Sequence, residues 1–292
     1  MPKKPLLLLA LLLASAALAE EREIIVYGQN APEWNRKLGA TATRSSCSAP
    51  PAACLSSMAA LLEGQQTSHF YLNLLDDAKI AERAAELSQR SLEEPRLREL
   101  SIDDFADHFN GWCHAQGPRC AAFLRRIIDN TKGRNKALQF GVTIYEDQLA
   151  QLLADPNFPA DLRGRIDAVH LYFHDRRNGP RFEDYLKQIK AAFPQAKVFA
   201  GSYAYDRLDY EKCADCTPAG HRELQRQTLR LEARLLREGR ISGIEFYPGH
   251  FGWEEKLPAW SDPRVCRPER RSACVENTKA MHDDVLPILK SK

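Results

Sequence analysis

Short segments dense in Val, Ile, Phe and Tyr recur from one end of the chain to the other, and each is followed by a stretch of helical character. The strand-like segments are "EIIVYG" (23–28), "SHFYLNLL" (68–75), "LRELS" (97–101), "ALQFGVTIY" (137–145), "IDAVHLYFH" (166–174), "KVFAGSYAY" (197–205) and "ISGIEFY" (241–247). Between them lie amphipathic runs such as "DDAKIAERAAELSQRSLEE", stopped by Pro95, and "HRELQRQTLRLEARLLREG", with Gly239 just past its end. Parallel strands need long crossovers, so this alternation predicts a parallel sheet covered by helices. An open sheet and a closed barrel both satisfy it. An open nucleotide-binding sheet carries a Gly-rich phosphate turn after its first strand, and "YGQNAPEW" is not one. The expectation is therefore a TIM-like (β/α) barrel over residues 20–292, with an eighth strand that is cryptic or a barrel that is irregular.

Side chains alternate along a strand, so each segment separates into two faces. In the fifth segment Val169, Leu171 and Phe173 share one face, and His170, Tyr172 and His174 share the other. In the seventh, Ile244 and Phe246 oppose Glu245 and Tyr247. Tyr27 and Gln29, Tyr71 and Asn73, and Tyr203 and Tyr205 fall together in the same way. A barrel turns its apolar face to the helices, so these polar sets point inward, toward the C-terminal end where barrel sites are built. Each such residue on its own fits a hydrogen-bonded core. The recurrence of Tyr, His, Asn and Glu on several strands argues for a pocket.

The chain opens with "MPKK", an apolar run too short to span a membrane comfortably, and "ALA" at 17–19. This reads as a signal peptide cut near Ala19, and hence as export to a periplasm or medium. Removing Lys3 and Lys4 takes the net charge of +2 to about zero, which gives no global field for nucleic acid or anionic membrane. No later run is long enough for a membrane span. The eight cysteines fall as near neighbours: Cys47 and Cys54, Cys113 and Cys120, Cys213 and Cys216, Cys266 and Cys274. An even count in an exported chain indicates disulfides, and local pairing closes the shortest loops. All four pairs follow strands, so they are expected to staple loops of the C-terminal face.

Glu245 is the odd residue of an otherwise apolar strand, and an ionised carboxylate there needs a partner. "TIYED" offers a second acid. Strict alternation turns Asp147 inward, and one bulged residue turns Glu146 inward instead. Two carboxylates across a pocket, one protonated and one ionised, are the working parts of glycosidic cleavage. The layout resembles the large clan of retaining (β/α)-barrel glycoside hydrolases. That resemblance implies an acid/base at Glu146, a nucleophile at Glu245, and Tyr203 or Tyr205 beside it. Tyr145 and the other inward residues would line the carbohydrate site. Trp34, Trp112, Trp253 and Trp260 are expected on loops after strands, where a sugar face can lie on an aromatic ring; Trp253 follows Glu245 most closely. No cofactor is expected. A metal-dependent hydrolase using His170, His174 and Asp175 is disfavoured, because i and i+4 on a strand lie about 13 Å apart. A glycan-binding or envelope-associated barrel without turnover is the other class that fits.

Overall fold

The computed structural model describes residues 22–28, 30–46, 67–72, 79–208, 216–256 and 266–291. Eight strands form the barrel: β1 Glu23–Tyr27, β2 Ala42–Ser46, β3 Thr67–Tyr71, β4 Leu97–Ile102, β5 Gln139–Tyr145, β6 Ala168–Tyr172, β7 Lys197–Tyr203 and β8 Gly243–Tyr247. Each pairs in parallel with the next, and β1 pairs with β8, so the barrel is closed.

The cryptic strand is β2, "ATRSS", inside the stretch that reads as a cysteine loop. It has no apolar alternation to announce it. Thr43 and Ser45 on one face and Arg44 on the other are nonetheless all buried. Its register puts Arg44 beside Tyr27 on β1 and His69 on β3. The extra strand moves the numbering: the strands read as fourth and seventh are β5 and β8.

Nine helices are described: α1 Pro32–Leu38, α2 Ile80–Arg90, α3 Phe105–Gln116, α4 Cys120–Thr131, α5 Leu149–Ala154, α6 Ala160–Arg163, α7 Phe182–Ala192, α8 Pro218–Arg237 and α9 Arg271–Lys290. The outward strand residues Val26, Phe70, Leu100, Phe140, Val142, Val169, Leu171, Ile244 and Phe246 form the main core with them. On α2 the buried Ile80, Ala84 and Leu87 recur at helical spacing and supply its share. A separate apolar plug of Ile25, Ala42, Ala168 and Phe199 fills the barrel lumen. Above that plug the lumen becomes polar.

Cys113–Cys120 and Cys266–Cys274 are disulfides, both local. The first joins the end of α3 to the start of α4, so it clamps two helices as well as the short turn between them. Cys216 is also bonded, while Cys47, Cys54 and Cys213 lie outside the described residues. Two tryptophans depart from their expected place on loops. Trp112 is buried within α3 and meets Phe123 edge-on, and Trp34 lies in α1 against Phe251. Both serve the apolar core. Trp260 is outside the described residues. Among those residues no helix is long and apolar enough to cross a membrane.

Candidate active site

A barrel lumen is filled in layers by alternate strands. Here the even strands contribute ions: Arg44 from β2, Glu99 with Ser101 from β4, His170 from β6 and Glu245 from β8. The Arg44 guanidinium is the hub. Its Nε lies 2.8 Å from Glu245 Oε1, and its Nη1 donates to Ser101 Oγ at 2.6 Å. Its Nη2 lies 3.3 Å from Glu99 Oε1 and 2.6 Å from His170 Nε2. His170 reaches Glu245 through Nδ1 at 2.6 Å and Glu99 through Nε2 at 3.1 Å. His69 on β3 bridges Glu99 at 3.2 Å and Glu23 at 2.9 Å. Gly141 on β5 makes room for this layer, since a Cβ there would fall 2.5 Å from Glu99 Oε1.

Arg44, Glu99, His170 and Glu245 are all 0 % exposed. Charges so placed persist only when paired. Burial raises the pKa of the Glu245 carboxyl, but Arg44 and His170 outweigh it and hold the group down at about 2. Glu99 is held well below the usual range, with His170, His69 and Arg44 overcoming its burial. Burial pushes His69 down, yet the Glu99 and Glu23 carboxylates carry it up to about 9, so it is a cation at neutral pH.

His69, Glu99 and His170 are residues of metal-binding type, with one ligand atom each inside 4.8 Å of the others. The Arg44 guanidinium already lies against His170 and Glu99, so a fixed cation stands where an ion would be held. The set His170, His174 and Asp175 is not assembled. His170 faces the lumen, His174 pairs with Asp147, and Asp175 with Arg177.

A tier of tyrosines closes the mouth above these ions. Tyr27 and Tyr247 have ring centres 4.7 Å apart, Tyr172 and Tyr203 5.1 Å, and Tyr203 and Tyr247 5.9 Å. Tyr145 lies 6.3 Å from Tyr172, and Tyr205 6.0 Å from Tyr203. Gly201 admits the Tyr172 ring, which a Cβ there would meet at 2.2 Å. Tyr203 donates to the Tyr145 hydroxyl at 3.4 Å, and Tyr145 donates to Asp104 Oδ1 at 2.7 Å. Burial raises the pKa of Tyr145, Tyr203 and Tyr247, so all three keep their protons. The buried Arg207 guanidinium lies 3.6 Å over the Tyr203 ring.

Asp103 and Asp104 follow β4 directly. Asp104 takes a left-handed φ of 46°, which Asp tolerates better than most side chains. Asp103 is raised to about 7 by burial first, then by the charges of Asp104 and Glu245, against the pull of Arg44. Its own charge is felt at Tyr145, Tyr203 and Tyr247. It thus stands between the ion layer and the tyrosines.

Of the residues singled out from sequence, Glu245, His170, Tyr27, Tyr145, Tyr172, Tyr203, Tyr205 and Tyr247 come together at the lumen and its mouth. Glu146 does not join them. Its carboxylate accepts from the backbone N–H of His174 at 2.8 Å and of Asp175 at 3.0 Å, and from Asn178 Nδ2 at 3.2 Å. It fastens the turn after β6. Asp147 is 54 % exposed at its side chain and meets His174 Nδ1 at 3.0 Å, and that imidazole stacks on Tyr145 at 3.7 Å. Both acids follow β5, so their hydrogen bonds form a network separate from that of Glu245. Trp253 lies in the turn after β8 with the Lys256 ammonium 4.1 Å over its ring. Asn73 is outside the described residues. Arg44, His69, Glu99, Asp103, Asp104 and Arg207 were not singled out. Parity along "LRELSIDD" would have found two of them, since it aligns Glu99 and Asp103, with Ser101 between, on the face opposite Leu100 and Ile102.

No protein-family model and no curated protein sequence matches the chain. Solved structures do. A glucosidase from Croceicoccus marinus superposes with a TM-score of 0.58 at 11% identity, covering 90% of this chain and 66% of that one. A psychrophilic family 10 endo-beta-1,4-xylanase gives 0.53 at 11% identity, covering 80% and 88%. An exo-beta-1,4-mannosidase from Opitutaceae bacterium strain TAV5 gives 0.57 at 14% identity, covering 93% and 61%. The chain thus spans about two thirds of that glucosidase and less of the mannosidase. At these identities the likeness is one of fold: the chain shares a closed (β/α)-barrel with these three enzymes.

Proposed function

We propose that this is an exported barrel that cleaves a poly- or oligosaccharide, with Asp103 as proton donor and Glu245 as its permanently ionised partner. The observation that carries the reading is the divergence of these two acids, one held near 2 and the other lifted to about 7. Acids whose surroundings push their pKa values apart divide naturally into an anion and a proton donor. Asp103 gives its proton to the glycosidic oxygen as the carbon–oxygen bond breaks. It then takes a proton from the water that adds to the anomeric carbon. Glu245 lies under the tyrosine tier, and its negative charge adds to burial and to Asp104 in lifting Asp103 to about 7, so that about half of Asp103 carries a proton at neutral pH. The tyrosines supply ring faces and neutral hydroxyl donors for a sugar. The glucosidase, xylanase and mannosidase among the structural neighbours support a carbohydrate as substrate class. The basic, then apolar N-terminus with "ALA" at 17–19 supports export.

The complete burial of Glu245 favours a second reading, binding of glycan without turnover. One experiment separates them. Gluco-, xylo-, manno- and chito-oligosaccharides are incubated with the protein, and new reducing ends are measured alongside binding. Cleavage that falls by about 10²–10⁴-fold in Asp103→Asn, with binding kept, supports the enzyme. Binding without cleavage gives the second reading. Cleavage undiminished in Asp103→Asn removes the proton donor from Asp103.

A further inference from the structure

The opposite end of the barrel holds a cavity that the glycan reading does not use. It has a volume of about 200 Å³ and lies where β1 begins and where α1, α8 and α9 end. Its walls are apolar, with Ile24, Leu38, Leu236 and Leu289 among them. The charged residues that line it are all cations: Lys37, Arg237 and Lys290. All three are exposed, and among the described residues none forms an ion pair. Lys37 lies 5.3 Å over the Trp34 ring. Of the acids close by in sequence, Glu238 pairs with Arg234 and Arg240 and Glu23 with His69, while Glu33 lies one turn before Lys37 on α1 and outside the lining.

Each cation sits in the last turn of its helix, where it complements the helix dipole. A helix end carries about half a negative charge, so three ends offset about half of three full cations. The remaining positive potential faces a greasy cavity. The cavity opens to solvent at its charged rim, and an enclosed apolar cavity of about 150 Å³ holds a benzene ring, so this volume is enough for a chain end of about six to eight carbons.

We propose that this cavity binds a single-chain carboxylate amphiphile, with the tail among Leu38, Leu236 and Leu289 and the carboxylate at Lys37, Arg237 and Lys290. Charge complementarity selects this occupant: the tail matches the walls, and the head matches a lining whose charged members among the described residues are all cations.

Titration calorimetry of the full chain with octanoate and octanol tests it. Octanoate is expected to bind, and octanol about tenfold more weakly, a difference of about 1.4 kcal/mol. Replacing the three cations together (Lys37→Gln, Arg237→Gln, Lys290→Gln) is expected to weaken octanoate about tenfold and leave octanol unchanged. Leu236→Trp fills the cavity and is expected to abolish both. If that variant fails to fold, methyl carbon-13 shifts of Leu236 and Leu289 during the octanoate titration locate the ligand instead. Equal affinity for octanol and octanoate, no octanoate binding, or methyl shifts elsewhere would overturn the proposal. So would octanoate binding that appears only after residues 1–19 are removed, because the chain's own apolar segment would then be the occupant.

Discussion

Replacing Arg44 by Met tests the ion layer where it is most exposed to failure. The substitution keeps an unbranched stem, ends it about where Nε stands, and removes the charge and the donors. Glu245 then loses a partner at 2.8 Å, Glu99 one at 3.3 Å and Ser101 a donor at 2.6 Å, all in a lumen closed to water. An upper figure for the loss at Glu245 follows from its whole depression, which Arg44 leads and His170 and His69 share. The Glu245 pKa is drawn from the ordinary 4.5 to about 2. At 1.36 kcal/mol for each pH unit this corresponds to about 3 kcal/mol. Breaking a buried ion pair from one side costs about 3–5 kcal/mol in other proteins, which agrees. Urea unfolding followed by tryptophan fluorescence should therefore show a drop of up to about 3 kcal/mol at neutral pH, or a Tm lower by up to about 6–12 °C. The pH dependence has a definite sign. A depressed carboxyl stabilises above its unfolded pKa, and that contribution fades as pH falls from 4.5 toward 2. The gap between the two proteins should narrow over that window. Adding Glu245→Leu to Arg44→Met should recover part of the loss, because it removes the stranded anion. A loss under about 1 kcal/mol, with no narrowing in acid, would mean that Arg44 does not hold the lumen carboxylates.

Other consequences can be checked separately. If cleavage is found, kcat/KM should fall on the alkaline side with a midpoint near 7, since Asp103 must be protonated to act, and Asp103→Asn should abolish that limb. Gly201→Ala should destabilise by about 1–3 kcal/mol in urea unfolding, because its Cβ would meet the Tyr172 ring at 2.2 Å. Glu232 on α8 is buried, both its oxygens lack a hydrogen-bond partner among the described residues, and burial alone lifts it to about 8. An acid raised in this way costs stability as pH climbs from 4.5 to about 8, so Glu232→Gln should gain on the unmodified protein across that window in pH-dependent unfolding.

The barrel was legible because seven of its strands carry outward apolar residues at period two, and helices carry theirs at period 3.6. β2 was not. Its five residues "ATRSS" include no large apolar side chain, and Arg44 is held inside by carboxylates from β4 and β8 that adjacent sequence cannot reveal. Missing that strand displaced the count by one, and with it the match of Glu146 and Glu245 to the ends of the fourth and seventh strands. The parity of Glu245 was readable from Ile244 and Phe246, and its burial among cations answers why an acid stands in that strand. The fate of Glu146 was not readable, because its partners are backbone N–H groups of a turn some thirty residues away. The elevated pKa of Asp103 was not readable for a different reason: it is a collective effect of burial, the adjacent Asp104 and Glu245 on β8, set against Arg44 on β2.

If two acids of one lumen are held in opposite protonation states, a carbon-13 NMR titration of the side-chain carboxyls shows it directly. Asp103→Asn and Glu245→Gln identify the two resonances by their loss. The Asp103 carboxyl should titrate near 7 while the Glu245 carboxyl stays ionised down to about 2. Both carboxyls titrating together near the ordinary values of about 4 would contradict it.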